Sequence, residues 1–253
     1  MTTSGHRSSP PRVRSSPPVS EAFETTELAD ELHRVGREPD PWAWIDWVFA
    51  GADGTFGGRW DDAYGRYRVL YASSQRLGAF VESLAQFRAD PHVVAEYENI
   101  EGVDEDGVLE PGVLPRVWCS ERVITKGVST EVIGPFVVVG AARTIATLRE
   151  AFASLVIQYG LDDLDAAAIR LSVPRAFTQE LSSYFEAQID DSGQAYAGIY
   201  FLSKHGDDFE NWAIFEQERM HGQSPIMSVH RENPDPDDDD LRSALELLQI
   251  RMA

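Results

Sequence analysis

Apolar residues in this chain come as short continuous runs and as longer runs at helical spacing, and the two kinds alternate. Val69-Leu70-Tyr71-Ala72 is continuous, which predicts a strand over Arg68–Ser73 buried on both faces. Leu77, Phe80, Val81, Leu84 and Phe87 then recur at helical spacing, which predicts a helix over Gln75–Arg88, closed by Pro91. Phe136–Gly140 (FVVVG) reads as a buried strand. It leads into a helix capped by Thr144, with Ile145, Leu148, Phe152, Leu155, Val156 and Tyr159 on one stripe and Gly160 at its end. Pro174 marks a new start, with a helix over Phe177–Gln188. Gly198–Ser203 and Asn211–Glu216 read as a hairpin joined by KHGDDFE.

Elsewhere the pattern is weaker. Thr25 or Thr26 is placed to cap a helix running to about His33, with Glu27 in its first turn and Leu28 and Leu32 on its apolar edge. Pro39 and Pro41 preclude a regular helix beside Trp42, Trp44 and Trp47, a cluster that suits core packing. From His92 to Gly134 the chain is acidic and turn-rich, with short strands expected around Arg116–Cys119 and Glu131–Ile133. Asp240 is placed to cap a last helix carrying Leu241, Leu245 and Leu248. The organisation expected is a disordered Ser/Pro/Arg leader over residues 1–20, one domain over 21–230, and an acidic linker with a C-terminal helix over 231–253.

Charge narrows the field of partners. Forty-two acidic against 22 basic residues give a net charge of −20 over 253 residues, a field that repels nucleic acid. Cys119 is the only cysteine, which excludes an internal disulfide and a multi-cysteine metal site. No run of about 18 apolar residues occurs, so no membrane span is expected; the N-terminus has arginines but no apolar h-region, so no secretory signal is expected either, and a cytoplasmic protein is. The sequence carries no phosphate-binding GxxxxGK[ST], no HExxH, no GxSxG and no EF-hand spacing, and its six histidines are scattered singly. No metal is expected.

What chemistry remains sits on a few residues. Arg34 stands beside Gly36 and Arg59 beside Gly57-Gly58; small neighbours leave room for a ligand to reach a guanidinium, and surface ion pairing is the competing reading. Glu82 lies nearly opposite the apolar stripe of its helix, which periodicity alone assigns to solvent. Its neighbours Gly78, Ala79, Ala85 and Gln86 are small or uncharged, so a ligand fits against that face.

In order, LHRVG (Arg34), FGGRWD (Arg59), VLYAS (Tyr71) and FVESLA (Glu82), followed by VPRAFTQ, GIYFLSKHG and WAIFE, resemble the RES-domain family across roughly residues 30–218. The resemblance implies an α+β fold similar to ADP-ribosyltransferases, a mixed β-sheet core with flanking helices in a single domain. It implies NAD as a substrate rather than a bound cofactor, and cleavage of the nicotinamide–ribose bond. It further implies a toxin paired with an antitoxin of the Xre type, and it leaves oligomerisation open. Carried over, Arg34 and Arg59 hold the pyrophosphate and ribose, Tyr71 packs at the nicotinamide end, and Glu82 is the catalytic carboxylate. The family serine has no fixed place: RAFTQ has Ala176 and Thr178 before Gln179, and Ser203 in FLSKHG is the alternative. Gln179 and Ser203 are therefore counted with the binding residues. The competing reading is a RES-like module that holds a nucleotide or partner without turnover.

Overall fold

The structure, a computed structural model, describes residues 23–89, 111–171 and 173–253. The expected leader, the closing Pro91 and residues 92–110 of the acidic excursion lie outside the described residues. The strands, in chain order, are β1 (Thr25–Thr26), β2 (Leu32–Gly36), β3 (Val69–Ser73), β4 (Val113–Leu114), β5 (Val123–Ser129), β6 (Phe136–Val138), β7 (Gly198–Ser203), β8 (Gly206–Phe215), β9 (Ile226–Glu232) and β10 (Arg251–Met252). The helices are α1 (Arg76–Leu84), α2 (Val117–Ser120), α3 (Ala142–Gln158), α4 (Ala166–Arg170), α5 (Arg175–Glu186) and α6 (Asp239–Leu248). Eight strands form one sheet in the order β1-β6-β7-β8-β3-β2-β5-β9, mixed because β6 and β7 run parallel while the other pairs are antiparallel. The architecture is α+β, a mixed sheet with flanking helices.

The sheet is nearly divided. β3 pairs with β8 over five positions and β2 pairs with β5 over five, but β2 and β3 meet only at His33↔Ser73. Five strands therefore lie on one side of the seam and three on the other. At the seam the Arg34 guanidinium stands where ladder hydrogen bonds would otherwise run. It donates from Nη1 to the Tyr71 carbonyl at 2.7 Å and from Nε to the Pro41 carbonyl at 2.9 Å.

Three apolar clusters flank the sheet. α3, α4 and α5 pack Leu148, Phe152, Ile169, Phe177, Leu181 and Phe185 against Ile199 and Phe215. α1 packs Phe80, Val81 and Leu84 against Leu241, Leu245 and Leu248 of α6, each fully buried leucine contributing about 1.5–3 kcal/mol. Trp42, Trp44, Leu70 and Trp212 fill the third cluster. Trp47 does not join them: it is 39% exposed and lies against Phe56.

Several local expectations are corrected. The helix expected from Thr25 to His33 is two strands, because Thr25-Thr26 pair with Val137 and Phe136 while Leu32–Gly36 pair along β5. Tertiary pairing outweighs a threonine cap there. Arg116–Cys119 is not a strand; Trp118 and Cys119 are adjacent and both buried, which a turn of helix achieves. Glu131–Ile133 is not a strand either, and the ladder lies earlier, in β5. Ala141 rather than Thr144 occupies the N-cap of α3, and the Thr144 hydroxyl accepts from the Glu24 N–H at 3.1 Å. Asp238 rather than Asp240 caps α6, accepting from the Leu241 N–H at 2.9 Å. The hairpin turn shrinks to Lys204-His205, with Gly206 already in β8.

Candidate active site

At the seam between β2 and β3 lies a cavity of about 420 Å³. Its walls are β2 at His33–Val35, β3 at Tyr71–Ser73, α1 at Ala79, Glu82 and Ser83 with Ala85-Gln86 just beyond it, Gly58-Arg59, Arg175, and the β7–β8 hairpin at Phe201, Lys204, His205 and Asn211. Arg34, Arg59, Tyr71 and Glu82, spread over 48 positions of sequence from Arg34 to Glu82, all face it. Gln179 and Ser203 do not line it.

Arg34 arrives with two of its donors committed to the seam. Its neighbour Gly36 makes room for Pro41 rather than for a ligand, since a Cβ there would lie 2.6 Å from the Pro41 Cβ. Burial pushes the Arg34 guanidinium down to about 10, still charged at neutral pH.

Tyr71 organises the loop that carries Arg59. Its hydroxyl donates to Asp61 Oδ1 at 2.9 Å and accepts from the Trp60 N–H at 2.9 Å. Asp61 Oδ2 in turn takes the Gly58 N–H. A Cβ at position 58 would lie 2.6 Å from the Tyr71 hydroxyl, so the turn needs glycine for this close approach. Burial raises the Tyr71 phenol well above its ordinary range, so it stays protonated and keeps donating. Arg59 itself donates no hydrogen bond among the described residues. Burial lowers its guanidinium, and the nearby Glu82 carboxylate works in the opposite direction.

Gln179 acts on the same loop from outside. Its Nε2 donates to the carbonyls of Phe56 at 2.9 Å and Gly58 at 3.0 Å. Arg175 Nη1 reaches the Gly57 carbonyl at 2.8 Å, Ser182 the Trp60 carbonyl, and Ser183 the Asp62 carboxylate at 2.6 Å. Residues 175, 179, 182 and 183 share one face of α5, which therefore clamps Phe56–Asp62 along its length.

Glu82 is exposed, and its Oε1 accepts from Asn211 Nδ2 at 3.2 Å. Asn211 is 2% exposed and sits in β8 opposite Ser73. Ala79, Ala85 and Gln86 flank Glu82 on the cavity wall, while Gly78 turns inward against Ser73.

Sequence reasoning missed Arg175, Lys204, His33, His205 and Asn211. Their signal was faint: Arg175 lies one helical turn before Gln179, Lys204-His205 form the hairpin turn, and Asn211 is a polar position opening an apolar strand. Ser203 is buried beneath that turn, its hydroxyl accepting from the His205 N–H at 3.0 Å. The cavity gathers four cations (Arg34, Arg59, Arg175 and Lys204) against the Glu82 carboxylate, in a chain of net charge −20. Burial lowers Lys204, and Arg59 and Arg175 lower it further. His33 and His205 are both held below the usual histidine range, chiefly by burial, so both are neutral at pH 7. Such a wall can hold a ligand of two or more negative charges and present a single carboxylate to it.

No protein-family model and no curated protein match the chain. Among solved structures it is similar to a chain from the crystal structure of the M. tuberculosis MbcT–MbcA toxin–antitoxin complex, at 13% identity and a TM-score of 0.45, over 89% of this chain and 92% of that one. A likeness that distant says nothing about chemistry, and the site above stands on its own geometry.

Proposed function

We propose that this protein cleaves the nicotinamide–ribose bond of NAD. The observation that carries the reading is one cavity in which four cations surround a carboxylate pinned by an asparagine. NAD brings a pyrophosphate, which suits the cations, and a glycosidic carbon that develops positive charge as the bond breaks, which suits the carboxylate. Nicotinamide leaves as a neutral molecule, so the reaction needs no general acid, and the neutral His33 and His205 are consistent with that. In this reading Arg59 and Lys204 hold the pyrophosphate. The free edge of Arg34 and the Tyr71 ring border the nicotinamide riboside, and Glu82 stabilises the oxocarbenium-like state as carboxylates do in glycosidases. The ADP-ribose acceptor is water, phosphate or a protein side chain. The resemblance to RES proteins adds the toxin role and an Xre-type antitoxin as partner.

Purified protein incubated with NAD is expected to release free nicotinamide. Glu82→Gln is expected to keep NAD affinity while slowing release about a hundredfold, the usual cost of losing one electrostatic stabiliser. Intact NAD after prolonged incubation with the wild-type protein, with and without phosphate, would sink the reading. Wild-type rates in Glu82→Gln would remove that residue from the mechanism.

A further inference from the structure

Away from the cavity, carboxylates take up the arginines of this acidic chain. Arg66, Arg68, Arg76, Arg149, Arg170 and Arg231 each pair with an aspartate or glutamate. The arginines of the cavity wall do not: among the described residues, Arg34, Arg59 and Arg175 close no ion pair. With 42 acidic residues in the chain, three arginines of one cavity left without a carboxylate partner suit the negative charge of a ligand.

How much charge the ligand brings follows from the lining. Four cations against the one carboxylate, Glu82, leave a surplus of three positive charges. Asp61 does not line the cavity; its oxygens take the Gly58 N–H and the Tyr71 hydroxyl. NAD at neutral pH carries about one net negative charge, two from its pyrophosphate less one for the nicotinamide cation. NADP carries about three, because its 2′-phosphate adds nearly two more. NAD leaves the wall with about two charges unmatched, and NADP matches it.

Arg175 is the cation with no part in the reading above, where Arg59 and Lys204 face the pyrophosphate and Arg34 the nicotinamide riboside. It opens α5 and is exposed, and a single donor, Nη1, is fixed on the Gly57 carbonyl at 2.8 Å. Its other donors have no acceptor among the described residues. A clamp on one carbonyl needs a donor but no charge, so the clamp does not account for the guanidinium. The charge does reach the pyrophosphate cations: burial lowers Arg59 and Lys204, and Arg175 lowers both further. In a dinucleotide the 2′-phosphate is likewise a neighbour of the pyrophosphate, one ribose away. We infer that Arg175 holds a third phosphoryl group, the 2′-phosphate of the adenosine ribose, and that NADP is the preferred dinucleotide of this cavity. The identity of the ligand rests on the reading of the cavity as a nicotinamide-releasing site.

The test is calorimetric titration of the full chain with 2′-phospho-ADP-ribose and, separately, with ADP-ribose, in phosphate-free buffer. Wild type is expected to bind the 2′-phosphorylated ligand about tenfold or more tightly than ADP-ribose, the effect of one added charge-assisted contact. Arg175→Gln is the informative variant, because glutamine keeps a donor for the Gly57 carbonyl and removes the charge. Any loosening of the loop weakens both ligands together, so the ratio of the two affinities isolates the phosphate contact. That ratio is expected to fall to about twofold or less in Arg175→Gln and to stay higher in Arg175→Lys, which keeps the charge. Equal wild-type affinities, or a preference that survives Arg175→Gln, overturn the inference. Cleavage is read separately, as nicotinamide release from NADP and from NAD. If both dinucleotides stay intact while the affinity ratio holds, the phosphate site stands and the cleavage reading falls. If nicotinamide is released from NAD while the two affinities are equal, the cleavage reading stands and the phosphate site falls. Binding of neither ligand by wild type overturns both.

Discussion

Asn211 is the residue whose role is easiest to isolate. Its amide reaches Glu82 Oε1 at 3.2 Å from a buried position on β8, so it fixes one rotamer of a side chain that is otherwise exposed. Loss of a positioning bond spares ligand affinity and lowers turnover, because only the transition state requires the carboxylate at one place. Asn211→Ala is therefore expected to lower kcat for nicotinamide release about tenfold while KM changes about twofold or less. Equal losses in kcat and in ADP-ribose affinity would assign Asn211 to ligand binding instead. At this scale the sequence was informative where a residue stood in a distinctive string. Arg34, Arg59, Tyr71 and Glu82 were all legible, and all reach one cavity. It was uninformative for Asn211 and Lys204, whose places depend on the register of β8 against β3 and β7, which leaves no trace in local spacing. Gly36 shows the same limit from the other side: its small size beside Arg34 suits a ligand in the sequence, and Pro41 fills that space in the structure.

Among the elements, α5 and the Phe56–Asp62 loop behave as one unit. The loop has little regular structure, and its carbonyls at Phe56, Gly57, Gly58 and Trp60 are taken by side chains of α5. Gln179 supplies two of those bonds. Gln179→Ala leaves both carbonyls without that donor, at a stability cost of about 1–3 kcal/mol. The loop also carries Arg59, so KM for NAD is expected to rise more than kcat falls, read from the same nicotinamide assay. An unchanged KM with a lowered thermal midpoint would confine Gln179 to stability. Sequence periodicity found α1, α3, α5 and α6 because each buries one apolar stripe. It missed β9, whose residues after Ile226 are partly or fully exposed on an edge strand and so lack apolar alternation. It misassigned Thr25–His33 because capping residues describe local preference, while β1 and β2 are made by partners about 90 to 110 positions away.

For the molecule as a whole, the contrast is between a net charge of −20 and a cavity walled by four cations. These two fields respond to salt with opposite signs. Like charges spread over the surface repel one another in the compact state, and screening relieves that repulsion. Attraction between the cavity cations and a pyrophosphate is weakened by the same screening, from a Debye length of about 20 Å near 20 mM to about 4 Å near 500 mM sodium chloride. Raising the salt between those limits is therefore expected to raise the thermal midpoint and to lower ADP-ribose affinity. Sodium chloride is the suitable salt, since sulfate or phosphate would strengthen apolar burial and compete for the cations at once. A ligand bound through ring stacking at Tyr71 and Phe201 alone would hold its affinity as salt rises. Constant affinity beside a rising midpoint would then mean that the phosphates lie away from Arg59 and Lys204, and the assignment of that pair to the pyrophosphate would fail.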